Sequence, residues 1–349
     1  MKPRLCLLAE LHPSVAEWVE QNFDIVYRKR ADNYKNDMIE EDLAEILLQA
    51  DPDVAIIEAQ PFTSSVFEKA RRLSIIVSVR TTPSNVDTEA ARKKGVTVAN
   101  APGRNATAVA EFTIALILCC ARFIPQAYHA LKSGQYLLPP GQKALSNPND
   151  VIWTHPALVR RPYMDFRGRE ICGATLGLFG FGQIGRMVAE RARALGMSIL
   201  VHDPYVDPAL VQAQGGVSVD MQTLLKEADF LSLHAKATAE TRRIIDKKVF
   251  DAMKPTAYLI NTARGALVHQ ADLLDALSRK VIAGAAIDVY ESEPLSLGDD
   301  LLALDNLIYT PHIGGATIDV VRHQSKFVEQ NLEAWLAGKT PPNIWPAKL

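Results

Sequence analysis

The 349-residue chain has little net charge, few cysteines and no long hydrophobic run. Lys plus Arg number 38 and Asp plus Glu 40, a formal charge of −2. A dedicated nucleic-acid binder normally gathers a basic surplus on one face, so no nucleic-acid partner is expected. The longest uninterrupted apolar stretch, Ile114–Ala121, has eight residues. A membrane-spanning helix needs about 20, so no membrane partner is expected either. Leu5–Ala9 is too short for the core of a secretory signal, and no small-residue cleavage site follows it. Cys6, Cys119, Cys120 and Cys172 fit neither a metal spacing nor a disulfide framework, so no metal site is expected. Repeats and low-complexity tracts are absent. With 48% apolar and 22% charged residues, wholesale disorder is excluded. The expectation is a soluble, reduced, cytoplasmic protein, too long for one core of about 100–200 residues. Two domains, or one large α/β barrel, remain.

What the chain does contain is alternation. Arg4–Ala9, Asp24–Tyr27, Val54–Ile57, Ile75–Val79 and Val96–Ala99 read as short buried strands, separated by amphipathic Val15–Phe23, Ile39–Ala50 and Thr88–Lys94. A second set of strands runs through Thr175–Phe179, Ile199–His202, Phe230–Leu233, Ala257–Ile260, Gly284–Ile287 and Leu307–Tyr309. Helical segments Ile184–Leu195, Met221–Ala228, Lys247–Met253 and Ala271–Ser278 separate these. Such alternation predicts parallel sheets covered on both faces. Ala108–Lys132 and Thr317–Ala337 read as two further helices outside the alternation, each long enough to bridge two domains. The second follows the complete second sheet, so a return to the first domain is expected. Gln135–Glu170 is irregular, carries five prolines and is too long for a simple connector.

Gly180-Phe181-Gly182-Gln183-Ile184-Gly185 sits between the strand Thr175–Phe179 and the helix beginning at Ile184. Glycines recur in turns for steric reasons alone, but strand, helix and an acidic residue at Asp203 together point to a dinucleotide site. Gly180 would permit the turn, Gly182 the approach of a pyrophosphate, and Gly185 close helix–strand packing. The N–H groups opening the helix, at Gln183, Ile184 and Gly185, would face the phosphates. Asp203 can accept bonds from both adenosine ribose hydroxyls and would repel a 2′-phosphate, which favours NAD over NADP; a cap or turn role is the alternative.

Three more motifs fall at strand ends: Asn261-Thr262-Ala263-Arg264-Gly265, the run from Gly284 through Asp288 to Glu293-Pro294, and Thr310-Pro311-His312-Ile313-Gly314-Gly315. Ligand sites in open α/β sheets lie outside the carboxyl ends of strands. Alone, Arg264 fits a surface cation, Glu293 a solvated charge and His312 a loop histidine. Together, beside a nicotinamide site, they suit redox chemistry on an acid.

With these motifs in this order, the sequence from about Ile75 to Leu336 resembles the D-isomer-specific 2-hydroxyacid dehydrogenase family, phosphoglycerate dehydrogenase-like. The resemblance implies two Rossmann-like or flavodoxin-like parallel-sheet α/β domains with a cleft between them. A nucleotide domain, 104–316 with an extended arm 135–170, would be inserted into a discontinuous substrate (lid) domain, 1–103 and 317–349. It implies an enzyme that moves a hydride between NAD and C2 of a D-2-hydroxy acid or 2-oxo acid. Arg264 would grip the substrate carboxylate, His312 would be the acid–base residue, and Glu293 would orient its ring and support its charged form. Asp288 and the backbone at Thr262 and Ala263 would hold the nicotinamide carboxamide, with Val109 near the ring. Gly315, His234 and Thr238 would complete the cofactor wall, although Lys236 stands where the family usually has proline.

The family's glycine-rich substrate loop corresponds here to Arg80-Thr81-Thr82-Pro83-Ser84-Asn85-Val86-Asp87, which is shorter and carries a proline that donates no N–H. Thr81, Thr82 and Ser84 could donate hydroxyls instead; a merely shortened turn is the alternative. Arg80 or Arg104 is expected to read a second polar or anionic group, such as sugar-acid hydroxyls or a phosphate, unless Arg104 is a surface charge or a hinge ion pair. The arm, with Trp153, His155, Arg160, Arg161 and Arg167, would embrace a second subunit in a homodimer. Corepressors share this fold, so a non-catalytic NAD-sensing protein is the alternative. Formate dehydrogenase differs by glutamine where Glu293 stands; phosphite oxidation stays open.

Overall fold

Val54-Ala55-Ile56-Ile57 and Ile75-Ile76-Val77-Ser78 are buried throughout, as central strands of a parallel sheet must be when helices cover both faces. The computed structural model describes residues 1–29, 39–147, 150–151, 155–158 and 160–346. It divides into two compact units, Met1–Asn105 with Ala316–Leu349, and Ala106–Gly315.

The discontinuous unit holds strands β1 (Arg4–Leu7), β2 (Asp24–Arg28), β3 (Val54–Ile57), β4 (Ile75–Ser78) and β5 (Thr97–Ala99). Helices α1 (Pro13–Asn22), α2 (Glu40–Ala50), α3 (Ser64–Lys69) and α4 (Thr88–Lys93) lie between them. All pairings are parallel in the order β2-β1-β3-β4-β5, so the order in which strands are added reverses between β1 and β3. Arg104, Asn105 and Ala316 fall in this unit, and within it Arg104 pairs with Glu58 at 3.4 Å.

The continuous unit begins with α5 (Ala106–Arg122) and α6 (Ile124–Lys132), then the small hairpin β6 (Ser146–Asn147) and β7 (Asp150–Val151), and α7 (Pro162–Asp165). Strands β8 (Thr175–Phe179), β9 (Ser198–His202), β10 (Val217–Ser218), β11 (Phe230–Leu233), β12 (Tyr258–Asn261), β13 (Gly284–Ile287) and β14 (Leu307–Tyr309) form a second parallel sheet. Its helices are α8 (Gln183–Ala194), α9 (Pro208–Ala213), α10 (Met221–Glu227), α11 (Lys247–Ala252) and α12 (Gln270–Ser278). The order β10-β9-β8-β11-β12-β13-β14 reverses direction between β8 and β11, the doubly wound pattern that leaves a crevice at the carboxyl ends of those two strands. Helix α13 (Asp319–Leu336) then returns to the first unit, where Val328 and Leu332 are buried with Leu5, Ile56, Ile75 and Val77.

The single helix expected over Ala108–Lys132 is two. Phe123 takes a left-handed conformation (φ 53°), and the axis bends by 64° there. Pro125 is the cause: it has no N–H to give the Ala121 carbonyl and its ring would crowd that carbonyl, so it is accommodated only in the first turn of a new helix, α6. Neither this pair nor α13 bridges the units; each lies within one. Among the described residues no single helix is long and apolar enough to cross a membrane.

Candidate active site

At the β8–β11 switch the chain leaves β8 through Gly180, which has φ +97°. A Cβ there would lie 2.6 Å from the Ala235 nitrogen and 2.8 Å from the His234 carbonyl carbon, so only glycine fits. A Cβ on Gly185 would lie 2.6 Å from the Gly180 oxygen, which is how α8 starts hard against the strand end. Gly182 is different: its Cβ would meet no protein atom within 4 Å, so this side of the loop is open. Gly182 caps α8 without any side-chain bond, leaving the first N–H groups of the helix for an anion. Asp203, just after β9, accepts the Phe181 N–H at 2.7 Å and the Tyr205 N–H at 3.0 Å. These bonds tie the loop to β9, and a carboxylate with about four acceptor sites keeps capacity for two hydroxyls. His234, on the far wall, bonds Ser232 at 2.9 Å through Nε2, and burial pulls its pKa down to about 4, so that wall is neutral. An open glycine, uncapped amides and an aimed carboxylate fit the pyrophosphate and ribose of a dinucleotide.

Beyond the loop, β12, β13 and β14 are adjacent and parallel, so their carboxyl ends lie along one edge. Arg264 follows β12. Asn261, 1% exposed, shapes that turn by accepting the Ala263 N–H at 3.1 Å and donating to the Arg264 carbonyl at 3.0 Å. A Cβ on Gly265 would fall 1.8 Å from the Tyr290 carbonyl oxygen; the β12 turn thus packs directly on the segment after β13. Arg264 is exposed, with Nη1 on the Ala263 carbonyl at 2.6 Å. On the β13 segment, Glu293 accepts the Tyr290 N–H at 3.0 Å through Oε1 and meets His312 Nδ1 at 2.6 Å through Oε2. That carboxylate orients the ring and leaves Nε2 as the working nitrogen. The His312 backbone is left-handed, φ 55°. Asp288, 1% exposed, holds the loop around it, accepting the Thr310 hydroxyl at 2.6 Å and the Ile313 and Gly314 N–H groups at 2.8 and 2.7 Å. Tyr290 donates its hydroxyl to the Thr310 carbonyl at 2.8 Å, and burial raises its pKa to about 12, so it stays a neutral donor.

The family model for the D-isomer specific 2-hydroxyacid dehydrogenase NAD binding domain matches residues 114–314. A glyoxylate reductase of Thermococcus litoralis is 34% identical over 344 residues, 99% of this chain and 97% of that protein. The chain belongs to the D-isomer specific 2-hydroxyacid dehydrogenase family. A D-3-phosphoglycerate dehydrogenase of Methanocaldococcus jannaschii is 36% identical over 84% of this chain, which spans about half (52%) of that relative's length. Among solved structures, the TT0316 protein from Thermus thermophilus superposes with a TM-score of 0.77 at 32% identity, covering 99% of this chain and 100% of that one. This dehydrogenase is therefore an oxidoreductase, and NAD is its cofactor.

Within the continuous unit of the dehydrogenase, His312 and Glu293 are in contact, while Arg264 and Asp288 lie on the same strand edge. Asp288 spends its oxygens on three donors of the His312 loop, a use the motif did not suggest. Val109 is buried on α5; its carbonyl accepts from Thr113, whose hydroxyl meets that of Thr262 at 2.8 Å. Thr238 lies in an exposed turn, exchanging bonds with Thr241, and Gly315 ends the unit. Asn261, Thr113, Gly265 and Tyr290 are supports that sequence reasoning passed over. The glycine was legible as a possible close approach, but an asparagine or tyrosine near a strand end, or a threonine within α5, carries no distinctive spacing. In the discontinuous unit, Arg80, Thr81 and Thr82 follow β4, and Arg104 follows β5. In the arm, Asp165 accepts from Tyr136 at 2.8 Å and pairs with Arg160 at 3.1 Å; Trp153 lies outside the described residues.

Proposed function

We propose that this enzyme interconverts a D-2-hydroxy acid and its 2-oxo acid, with a sugar acid or a phosphorylated hydroxy acid as the substrate type. The observation that carries the reading is the Glu293–His312 contact at 2.6 Å, on the strand edge that also carries Arg264. When bound, NADH supplies the hydride that adds to C2 and is left as NAD⁺. The Arg264 guanidinium binds the carboxylate and polarises the 2-oxo group, as its planar fork suits an anion. His312 Nε2 gives its proton to the carbonyl oxygen as that oxygen gains charge, and takes it back in oxidation. Glu293 holds the ring through Nδ1 and stabilises the imidazolium before transfer. Asp288 and the backbone at Thr262 and Ala263 serve the nicotinamide carboxamide, with Val109, His234, Thr238 and Gly315 around the cofactor. Gln183, Ile184 and Gly185 amides take the pyrophosphate and Asp203 the adenosine ribose. Thr81 and Thr82 serve the substrate.

The reading includes a homodimer formed through α6 and the arm. Ile124, Tyr128, Leu137, Tyr163 and Met164 are 51, 65, 57, 83 and 52% exposed there, apolar side chains that a second copy would cover. Light scattering should give twice the 38.4 kDa chain mass; a monomer would reject the dimer. A cytoplasmic location suits the buried free thiols Cys6 and Cys120. The activity itself is tested by NADH oxidation against short and long 2-oxo acids. Turnover should be lost by about 100-fold or more in His312→Asn, in keeping with an acid–base group. Tight NADH binding with no turnover on any 2-oxo acid would favour a cofactor-sensing protein instead.

A further inference from the structure

Two residues with left-handed backbone lie in the loops that follow β14 and β11 of the continuous unit: His312 (φ 55°) and Arg243 (φ 53°). Such backbone is strained in an arginine and persists only where the surroundings over-determine it. A turn ends at Arg243, with the Arg242 N–H on the Thr238 carbonyl at 3.0 Å, and glycine would close that turn without strain. What holds Arg243 in place is two segments distant in sequence. Its N–H donates to the Ala266 carbonyl at 2.8 Å, two residues past Arg264. Its Nε donates to Glu291 Oε1 at 2.7 Å, two residues before Glu293. The seam continues at Ile245, whose N–H donates to the Leu267 carbonyl at 3.0 Å and whose carbonyl accepts the His269 N–H at 2.9 Å.

These two segments carry the groups of the candidate site. Gly265 packs on the Tyr290 carbonyl, the Tyr290 N–H donates to Glu293 at 3.0 Å, and the Tyr290 hydroxyl donates to the Thr310 carbonyl at 2.8 Å. Glu291 follows directly, its own N–H on the Gln270 side-chain oxygen at 3.3 Å. The Glu291 side chain is 23% exposed, and Arg243 is its only cation among the described residues. Without that guanidinium, a largely buried carboxylate would turn out to water and draw the backbone from Tyr290 to Glu293 with it. The Arg243 side chain is half exposed, so the pair adds little to the stability of the fold. Its effect is geometric, and a misplacement of about 1 Å at a reacting group can cost about 100-fold in rate.

We propose that Arg243 is a positioning residue for the oxidoreductase reaction: it fixes the Arg264 turn against the Glu293 segment, and so sets where the Glu293–His312 pair stands relative to Arg264. It acts through Ala266 and Glu291. Glycine would suit the backbone better but carries no guanidinium to hold Glu291, which accounts for a strained arginine at this position. The proposal rests on the 2-oxo acid reading above and adds the device that keeps its reacting groups at one spacing.

The test separates geometry from stability. In Arg243→Gly the release of backbone strain offsets the loss of a half-exposed pair, so the melting temperature should stay within about 3 °C of the parent. kcat on the 2-oxo acid turned over should nevertheless fall about fivefold or more, with the KM for NADH within about twofold, because the glycine loop is untouched. Glu291→Gln should give the same fall, and Arg243→Gly combined with Glu291→Gln should be no slower than either alone. Arg243→Lys, which keeps the charge, should recover part of the loss. Parent kcat in Arg243→Gly, multiplied losses in the double variant, or a fall in kcat that tracks a fall in melting temperature would overturn the proposal. NMR adds a readout that needs no turnover: the low-field Nδ1–H resonance of His312 against Glu293 should broaden or move upfield in Arg243→Gly. That change, with no 2-oxo acid reduced by the parent, would uphold the tie to the Glu293–His312 pair and reject only the reductase reading. An unchanged resonance would overturn the tie.

Discussion

Asp288 offers the sharpest test of how the fold holds His312. Three donors converge on its buried carboxylate, and two of them, Ile313 and Gly314, directly follow the strained histidine. A left-handed non-glycine residue costs about 1–3 kcal/mol and persists only where its surroundings over-determine it. In Asp288→Ala, the Thr310 hydroxyl and the partly exposed Ile313 segment regain water. The Gly314 N–H is buried and does not, at about 1–3 kcal/mol for an unpaired group. Losing the charge-assisted bonds adds a comparable amount, offset in part because no carboxylate is desolvated any longer. A net loss of about 2–4 kcal/mol follows, and in a unit of this size each kcal/mol is worth about 2–4 °C. The calorimetric transition of the continuous unit should therefore fall by roughly 5–15 °C. kcat/KM should drop about 100-fold or more as His312 loses its register with Glu293. Asp288→Asn, which keeps the shape and one acceptor oxygen, should lie between the two. Melting within a degree or two of the parent, with normal turnover, would refute the clamp; weakened NADH binding alone would assign Asp288 to the cofactor only.

Three further outcomes follow from the same geometry. Gly182→Ala meets no protein atom, so its melting temperature should match the parent while NADH binds about tenfold more weakly, some 1.4 kcal/mol; Gly185→Ala should lose both, as calorimetry and NADH fluorescence titration would show. His234 is neutral in the fold with a pKa near 4, below the ordinary 6.5. The unfolded chain therefore binds more protons between those values, and this stabilisation, complete above pH 6.5, is lost as pH falls toward 4. The loss reaches about 3 kcal/mol, and denaturant melts of His234→Asn across that range should be flatter than the parent's. Gly265→Ala would drive a Cβ into the Tyr290 carbonyl backbone, so kcat should fall steeply; unchanged kinetics would show that Arg264 does not depend on this contact.

Much of this architecture was legible because buried parallel strands are continuous apolar runs, and β8, β11, β13 and β14 were bounded correctly on that ground alone. The break at Phe123 was not, because its neighbours on both sides are apolar and only Pro125 marks it. α3 and α9 were not read, although α4 and α11 have the same six-residue length and were, and the two-residue β10 is too short for any pattern. In the candidate site, the side chains that do chemistry stood out by type at strand ends. The residues that hold them, Asn261, Gly265 and Tyr290, act through backbone contacts between segments far apart in sequence, and no local pattern announces such pairs. Arg80 and Arg104 looked equivalent until Glu58 and Gln324, 46 and 220 positions from Arg104, came into view.

The central claim is hydride transfer between nicotinamide and C2. It is tested most directly by running the reaction with NADH deuterated at C4 and locating the label in the product by NMR and mass spectrometry. Deuterium at C2 of a hydroxy acid, which chiral chromatography identifies as the D isomer, is the result expected, with incorporation slowed about 100-fold or more in His312→Asn. Label lost to solvent or found elsewhere, or an L product, would contradict it.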